Sequence, residues 1–328
     1  MRLFWFVLLA AFGSLHAEVA SLPVRLTVQA DRVHVEIGGR PFTEYIFAGA
    51  SRPYLYPLLM PDGTAITRDF PQKDTPGEDR DHPWHRSLWF AHSVVNGVDF
   101  WNEGTGDLGR SPKAKGRIEH DALLEAAGGD AGVIRARDRW IAPDGTLICT
   151  SETTLRIRGT PDVRLLDYEV TLHALPGQPL VLGDNKDGTM ALRLAQWMTL
   201  PHTYQKKVLP GAGHILTSTG ARDAAAWGKR ADWCDYFASH DGKTYGVAIF
   251  DHPQNPRHPT WWMARDYGLF AANPFGRHDF ENLPDQPHAG DYTLPAGGTL
   301  TLRYRLVFHY GDASAAHLSE LYRAYAGQ

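Results

Sequence analysis

Twelve consecutive residues, Asp81-His-Pro-Trp-His-Arg-Ser-Leu-Trp-Phe-Ala-His92, hold three imidazoles, a guanidinium, a carboxylate and two indoles. Imidazole titrates near neutrality, so it can give or take a proton at working pH or bind a metal as a neutral ligand. His82, His85 and His92 could supply three ligands to zinc, yet Pro83 disfavours the helix on which metallohydrolase histidines are usually spaced. Acid–base work or substrate binding therefore ranks above a metal site, and no metal or cofactor is expected.

Two further stretches carry similar chemistry. Asp184-Asn-Lys-Asp-Gly188 reads as a polar turn at a strand end that offers the Lys186 cation and the Asp187 carboxylate, with Arg193 on the strand beyond. Asp251-His-Pro-Gln-Asn-Pro-Arg-His258-Pro-Thr-Trp-Trp-Met-Ala-Arg265 sets histidines and arginines beside paired indoles, and Asn273 closes a strand near the same rim. Aromatic faces stack on the C–H surface of a sugar ring, while Arg and Asn donors bind its hydroxyls. Ten tryptophans in 328 residues add to a carbohydrate reading, although a large β core would also use them for area.

What must position these groups reads as β structure. Period-two alternation broken by turn residues marks half-buried antiparallel strands, as in Val24 to Gln29, Val33 to Ile37 and Val163 to Ala174. In the last of these, Leu166, Tyr168, Val170 and Leu172 fall on one face. Thr299 to Tyr310 is the clearest strand. Asp312 is placed to cap a helix over Ala313 to Tyr325. More than fifteen strands and one helix predict an all-β fold of two large packed sheets. Pro61 to Arg80 reads as a long loop leading into His82, and loops of that length are commonly functional.

Met1 to Ala17, with Arg2 followed by a short apolar run and a small residue at the cut, is laid out as a secretory signal, too short to span a bilayer. The expected organisation is a signal over 1–17 and a single domain over 18–328, periplasmic or secreted. No membrane span follows the signal. A formal charge of −4 excludes the basic footprint of a nucleic-acid binder. Cys149 and Cys234 either pair in an oxidising compartment or serve as small buried hydrophobes.

The stretch 81–92 with Asn96-Gly-Val-Asp-Phe-Trp101, Lys186-Asp-Gly188, and Asp251-His-Pro-Gln-Asn255 through Asn273-Pro-Phe-Gly276 resembles the bacterial secreted family labelled PmoA-like, after methane oxygenase, and later reclassified as a domain of unknown function. The resemblance implies a galactose mutarotase-like β-supersandwich, and not the membrane oxygenase subunit that the label names.

These readings join in one expectation: a carbohydrate-active enzyme for hydrolysis, β-elimination or epimerisation. His82 or His85 would be the acid/base, and Asp187 or Asp251 its carboxylate partner. Lys186, Arg193 and Arg265 would stabilise negative charge on oxygen. Arg86, His92, His252, Asn255, His258, Trp261 and Asn273 would complete the substrate contacts. The rivals are a non-catalytic glycan-binding module using a Trp261-Trp262 wall, and a metalloenzyme on His82, His85 and His92.

Overall fold

The computed structural model describes residues 21–103 and 115–328. The signal reading of 1–17 lies outside the described residues.

In chain order the strands are β1 (Val24–Val28), β2 (Arg32–Ile37), β3 (Arg40–Ile46), β4 (Tyr54–Leu55), β5 (Leu88–His92), β6 (Arg117–Ala127), β7 (Gly132–Ile141), β8 (Leu147–Gly159), β9 (Arg164–Ala174) and β10 (Leu180–Leu182). They continue with β11 (Gly188–Arg193), β12 (His202–Tyr204), β13 (Lys207–Leu209), β14 (Gly213–Thr217), β15 (Trp233–His240), β16 (Lys243–Asp251), β17 (Trp261–Ala264), β18 (Leu269–Asn273), β19 (Tyr292–Leu294) and β20 (Thr299–Tyr310). A short helix α1 (Arg277–Phe280) precedes β19, and α2 (Leu318–Ala326) closes the chain.

Two eight-stranded sheets result, ordered β1-β2-β3-β4-β5-β11-β18-β17 and β14-β15-β16-β20-β9-β8-β7-β6, with two short ladders, β10-β19 and β12-β13. Neighbours run antiparallel, and the expected two-sheet all-β fold with a small C-terminal helix is what the chain forms.

Register assigns the faces of the first sheet. Ala191 pairs with both Trp89 and Ala271, Met263 pairs with Ala271, and Arg193 pairs with Leu269. Paired residues share a face and alternate residues return to it, so Trp89, Ala191, Arg193, Leu269, Ala271 and Met263 look one way. The opposite face carries Phe90, Leu192, Trp262 and Phe270. It packs on the second sheet, where Phe270 meets Tyr236 and Phe90 meets Trp140 with ring centroids 6.0 and 6.4 Å apart. That interlayer is the main core, and the first face is left for the site.

The helix starts later than Asp312 suggested. Asp312 Oδ1 accepts from the N–H groups of Ser314 and Ala315, so it caps a turn over 313–317, and α2 begins only at Leu318 after His317 adopts a left-handed φ of 51°. Cys149 and Cys234 are free and buried; burial pushes both thiols up.

Within the second sheet His309 Nε2 lies 3.0 Å from Asp235 Oδ1, both side chains being almost wholly buried. Gly246 makes room for the ring, since a Cβ there would lie 2.2 Å from His309 Cε1. Burial opposes the imidazolium, but the Asp235 charge and hydrogen bond outweigh it and raise the His309 pKa. A raised folded-state pKa gives stability that is complete below the unfolded value near 6.5 and is lost as pH climbs through the folded value. Urea unfolding should therefore show His309→Gln to cost more at about pH 5.5 than at about pH 8.5.

Candidate functional site

The chemistry gathers over the free face of the first sheet. Pro83 occupies the second position of a turn closed by His85 N–H donating to His82 O at 2.9 Å, a place suited to its fixed φ. The turn brings the two imidazoles together as a parallel stack, centroids 4.6 Å apart. Tyr267 stacks on the His82 ring at 5.5 Å, and Trp89 lies beneath His85 at 5.2 Å. His82 and Ser87 take φ of 43° and 54°. Left-handed backbone at non-glycine residues costs on the order of 1–3 kcal/mol each, which the surrounding contacts must hold in place.

Asp81 anchors the cluster. Its Oδ1 accepts from Arg68 Nη1 at 2.5 Å and Arg193 Nη2 at 2.7 Å, and its Oδ2 lies 2.5 Å from His82 Nδ1. Burial by itself would raise this carboxyl; the His82 hydrogen bond and the charges of Arg193 and Arg68 overcome it and hold Asp81 far below the usual carboxylate range. Burial and the charge of Arg193 in turn pull Arg68 down to about 10 against the pull of Asp81.

The two histidines end up with opposite roles. Asp81 is ionised and accepts, so His82 Nδ1 carries hydrogen. Arg193 Nη1 lies 3.3 Å from His85 Nδ1, and a guanidinium has only donors. His85 Nδ1 therefore accepts, and its hydrogen sits on Nε2. Burial, then the charges of His82, Arg193 and Arg68, push the His85 pKa well down, so His85 is a neutral donor.

Above this floor is a cleft of about 280 Å³ lined by His82, Trp84, His85, Trp101, Asn102, Lys186, Asp187, Met263, Arg265, Tyr267 and Leu269. Lys186 Nζ donates to Asp187 Oδ1 at 3.1 Å. The loop carrying them is clamped: Asn273 Nδ2 donates to the carbonyls of Asn185 and Lys186, and Lys186 N–H donates to Asp279.

His82, His85, Lys186, Asp187 and Arg265, expected from three separate stretches, thus share one cleft. Arg193 is buried beneath it, and Asn273 sits behind the Lys186 loop. Arg86 pairs with Glu103 beside the rim. The remaining expected contacts are elsewhere. His92 follows strand alternation to the interlayer face and bonds Gly183 O at 2.7 Å. Asp251, Asn255 and His258 form a closed network, Asp251 accepting from Asn255 Nδ2 and Thr260 N–H and meeting His258 Nδ1 at 2.7 Å, which ties the 251–260 segment together. His252 borders a different groove, with Arg303 and Tyr325.

Trp261 is buried under the Arg230 guanidinium, 4.6 Å from the ring centroid, and Trp262 donates its indole N–H to Ala231 O in the core, so the two indoles present no open wall. A three-histidine centre on His82, His85 and His92 is likewise not formed: two rings stack face to face and the third faces away. Among the described residues no three His, Cys, Asp or Glu converge on a metal position.

Sequence reading missed Asp81 as the anchor, although it stands beside His82, and missed Arg68, Trp84, Trp101, Asn102 and Tyr267. Tyr267 lies in the Asp266-Tyr267-Gly268 turn joining β17 to β18, and that turn was the available signal.

The sequence model of a family described as a family of unknown function (DUF6807) matches residues 32–323. Among solved structures, an alpha-galactosidase from Lactobacillus brevis is similar over 88% of this chain and 39% of its own, at 11% identity and a TM-score of 0.38. A galactose mutarotase related enzyme from Lactobacillus acidophilus is similar over 87% of this chain and 97% of its own, at 9% identity and 0.34. A putative aldose 1-epimerase from Escherichia coli K12 is similar over 88% and 98%, at 8% identity and 0.33. The chain spans about two fifths of the length of the alpha-galactosidase. No curated protein matches it.

Because Arg68 and Arg193 are each about 1% exposed and share Asp81, removing that carboxylate strands two buried cations. Asp81→Asn is expected to destabilise the protein by about 3–5 kcal/mol, read from urea unfolding.

Proposed function

The chain belongs to the DUF6807 family of unknown function, and from that premise we propose that it is a carbohydrate-active enzyme whose cleft binds a single sugar residue and moves a proton on it. One observation carries the reading: the Asp81-oriented His82 and the neutral donor His85 are stacked in the floor of the same cleft.

In this reading His82 Nε2 takes the proton from a sugar hydroxyl or an activated C–H, and Asp81 stabilises the imidazolium that forms. His85 Nε2–H donates to the oxygen on which negative charge develops, a task suited to a neutral imidazole. Lys186 and Arg265 add positive charge at the rim, and Asp187 is the second carboxylate of the site. Tyr267, the partly exposed aromatic of the lining, supplies a ring face on which a sugar stacks. The volume of about 280 Å³ lies just below the roughly 300–1,000 Å³ usual for small-molecule sites, which favours one ring over a chain of them. Hydrolysis, β-elimination and epimerisation all use this set.

The test is turnover of a panel of sugars and glycosides, followed by product release and by deuterium uptake from heavy water. His82→Gln should lower kcat by about 10²–10⁴-fold with KM little changed, whereas His85→Gln, which keeps an N–H donor, should lose less. Unchanged turnover in His82→Gln removes the acid–base role.

The reading also includes a PmoA-like secreted protein whose residues 1–17 are a cleaved signal, sending a single domain to the periplasm or medium. Its support is the charged, apolar and small-residue order of that segment. N-terminal sequencing of the exported protein should begin at Glu18, and an intact Met1 overturns it.

A further inference from the structure

The charges around the cleft do not balance. Four cations, Arg68, Arg193, Lys186 and Arg265, stand against two carboxylates, Asp81 and Asp187, and His85 is neutral. Three of the four cations are committed: Arg68 and Arg193 to Asp81, and Lys186 to Asp187. Arg265 is not. Among the described residues no carboxylate pairs with it, and its Nε is buried without a hydrogen-bond partner. Its guanidinium carbon lies over the Trp227 ring, 5.4 Å from the centroid, and the group borders the Tyr267 hydroxyl in the lining of the cleft.

A forked guanidinium that is preset by stacking and lacks an anion is built for a planar carboxylate, to which it donates two parallel hydrogen bonds. We infer that the substrate is a sugar acid, such as a uronic acid residue, and that Arg265 holds its carboxylate; this rests on the reading of the cleft as a sugar site. Asp187 lines the same cleft, so a monoanionic carboxylate meets less repulsion there than a phosphate dianion. With one oxygen-rich end fixed at Arg265, the ring lies against Tyr267 with His82 and His85 beneath. The carboxylate then neutralises the excess charge of the site.

The experiment is calorimetric titration of the full chain with three matched pairs, glucuronate and glucose, galacturonate and galactose, mannuronate and mannose, with glucose 6-phosphate as the dianionic control. At least one uronate should bind about 10–100-fold tighter than its neutral parent, the scale of a charge-assisted hydrogen-bond pair. Arg265→Met should bring that ratio to about one, and Arg265→Lys, which keeps charge without the fork, should leave an intermediate ratio. A ratio of one in all three wild-type pairs, a wild-type ratio in folded Arg265→Met, or tighter binding of glucose 6-phosphate than of any uronate overturns the inference.

Turnover by His82→Gln separates this from the acid–base reading. Lost turnover with a ratio of one sinks the carboxylate and leaves the proton transfer. An Arg265-dependent ratio with unchanged turnover does the reverse.

Discussion

One ionised carboxylate sandwiched between two buried guanidiniums sets the terms for this molecule. Arg68 comes from the long segment ahead of β5, Arg193 from the end of β11, and Asp81 from the turn between them. None of these charges is tolerable alone away from water, because desolvation costs several kcal/mol per ion unless partners are in place. Together they neutralise one another and pin the segment ahead of β5 to the end of β11. Arg68 extends the stitching by donating to the carbonyls of Phe70, Asp79 and His82. The ion cluster therefore also holds both imidazoles of the cleft, His82 through Asp81 and His85 through Arg193.

The same cluster divides the labour of two imidazoles in contact. His82 meets a carboxylate through Nδ1, and His85 meets a guanidinium through Nδ1. An acceptor fixes a hydrogen on the first ring, and a donor removes it from the second. Identical side chains three residues apart thus differ in which ring nitrogen carries the hydrogen, a distinction that comes wholly from their neighbours.

Much of this was legible before any coordinates. The alternation in β9 and β20 reports one buried face per strand, and the density of 81–92 with the Lys186-Asp187 turn pointed to the cleft. What was hidden has physical causes. β6 reads Ile-Glu-His-Asp-Ala-Leu-Leu-Glu-Ala-Ala without clean alternation because its pairing with β7 slips between His120 and Ala122 and again between Leu123 and Glu125. Each slip moves the side chains that follow to the other face. The 251–260 segment has the composition of a site, yet Asn255 pairs both ways with the backbone of Arg303 and Asp251 gathers the rest, so its polar groups are spent on holding a loop. Composition does not show which polar groups are already satisfied. Nor does it show that Arg68, inside an apparently solvated loop, turns inward to a carboxylate thirteen residues on.

Strand alternation has a last consequence in the central strands β5, β11 and β18. Odd and even positions of the same strands serve different masters: Phe90, Leu192 and Phe270 cement the interlayer, while Trp89, Arg193 and Leu269 back the cleft. Selection can therefore rewrite the floor and rim for a new ligand while the glue between the layers stays as it was. A sandwich partitioned in this way is a chassis on which different reactivities can diverge without each having to reinvent a foldable protein.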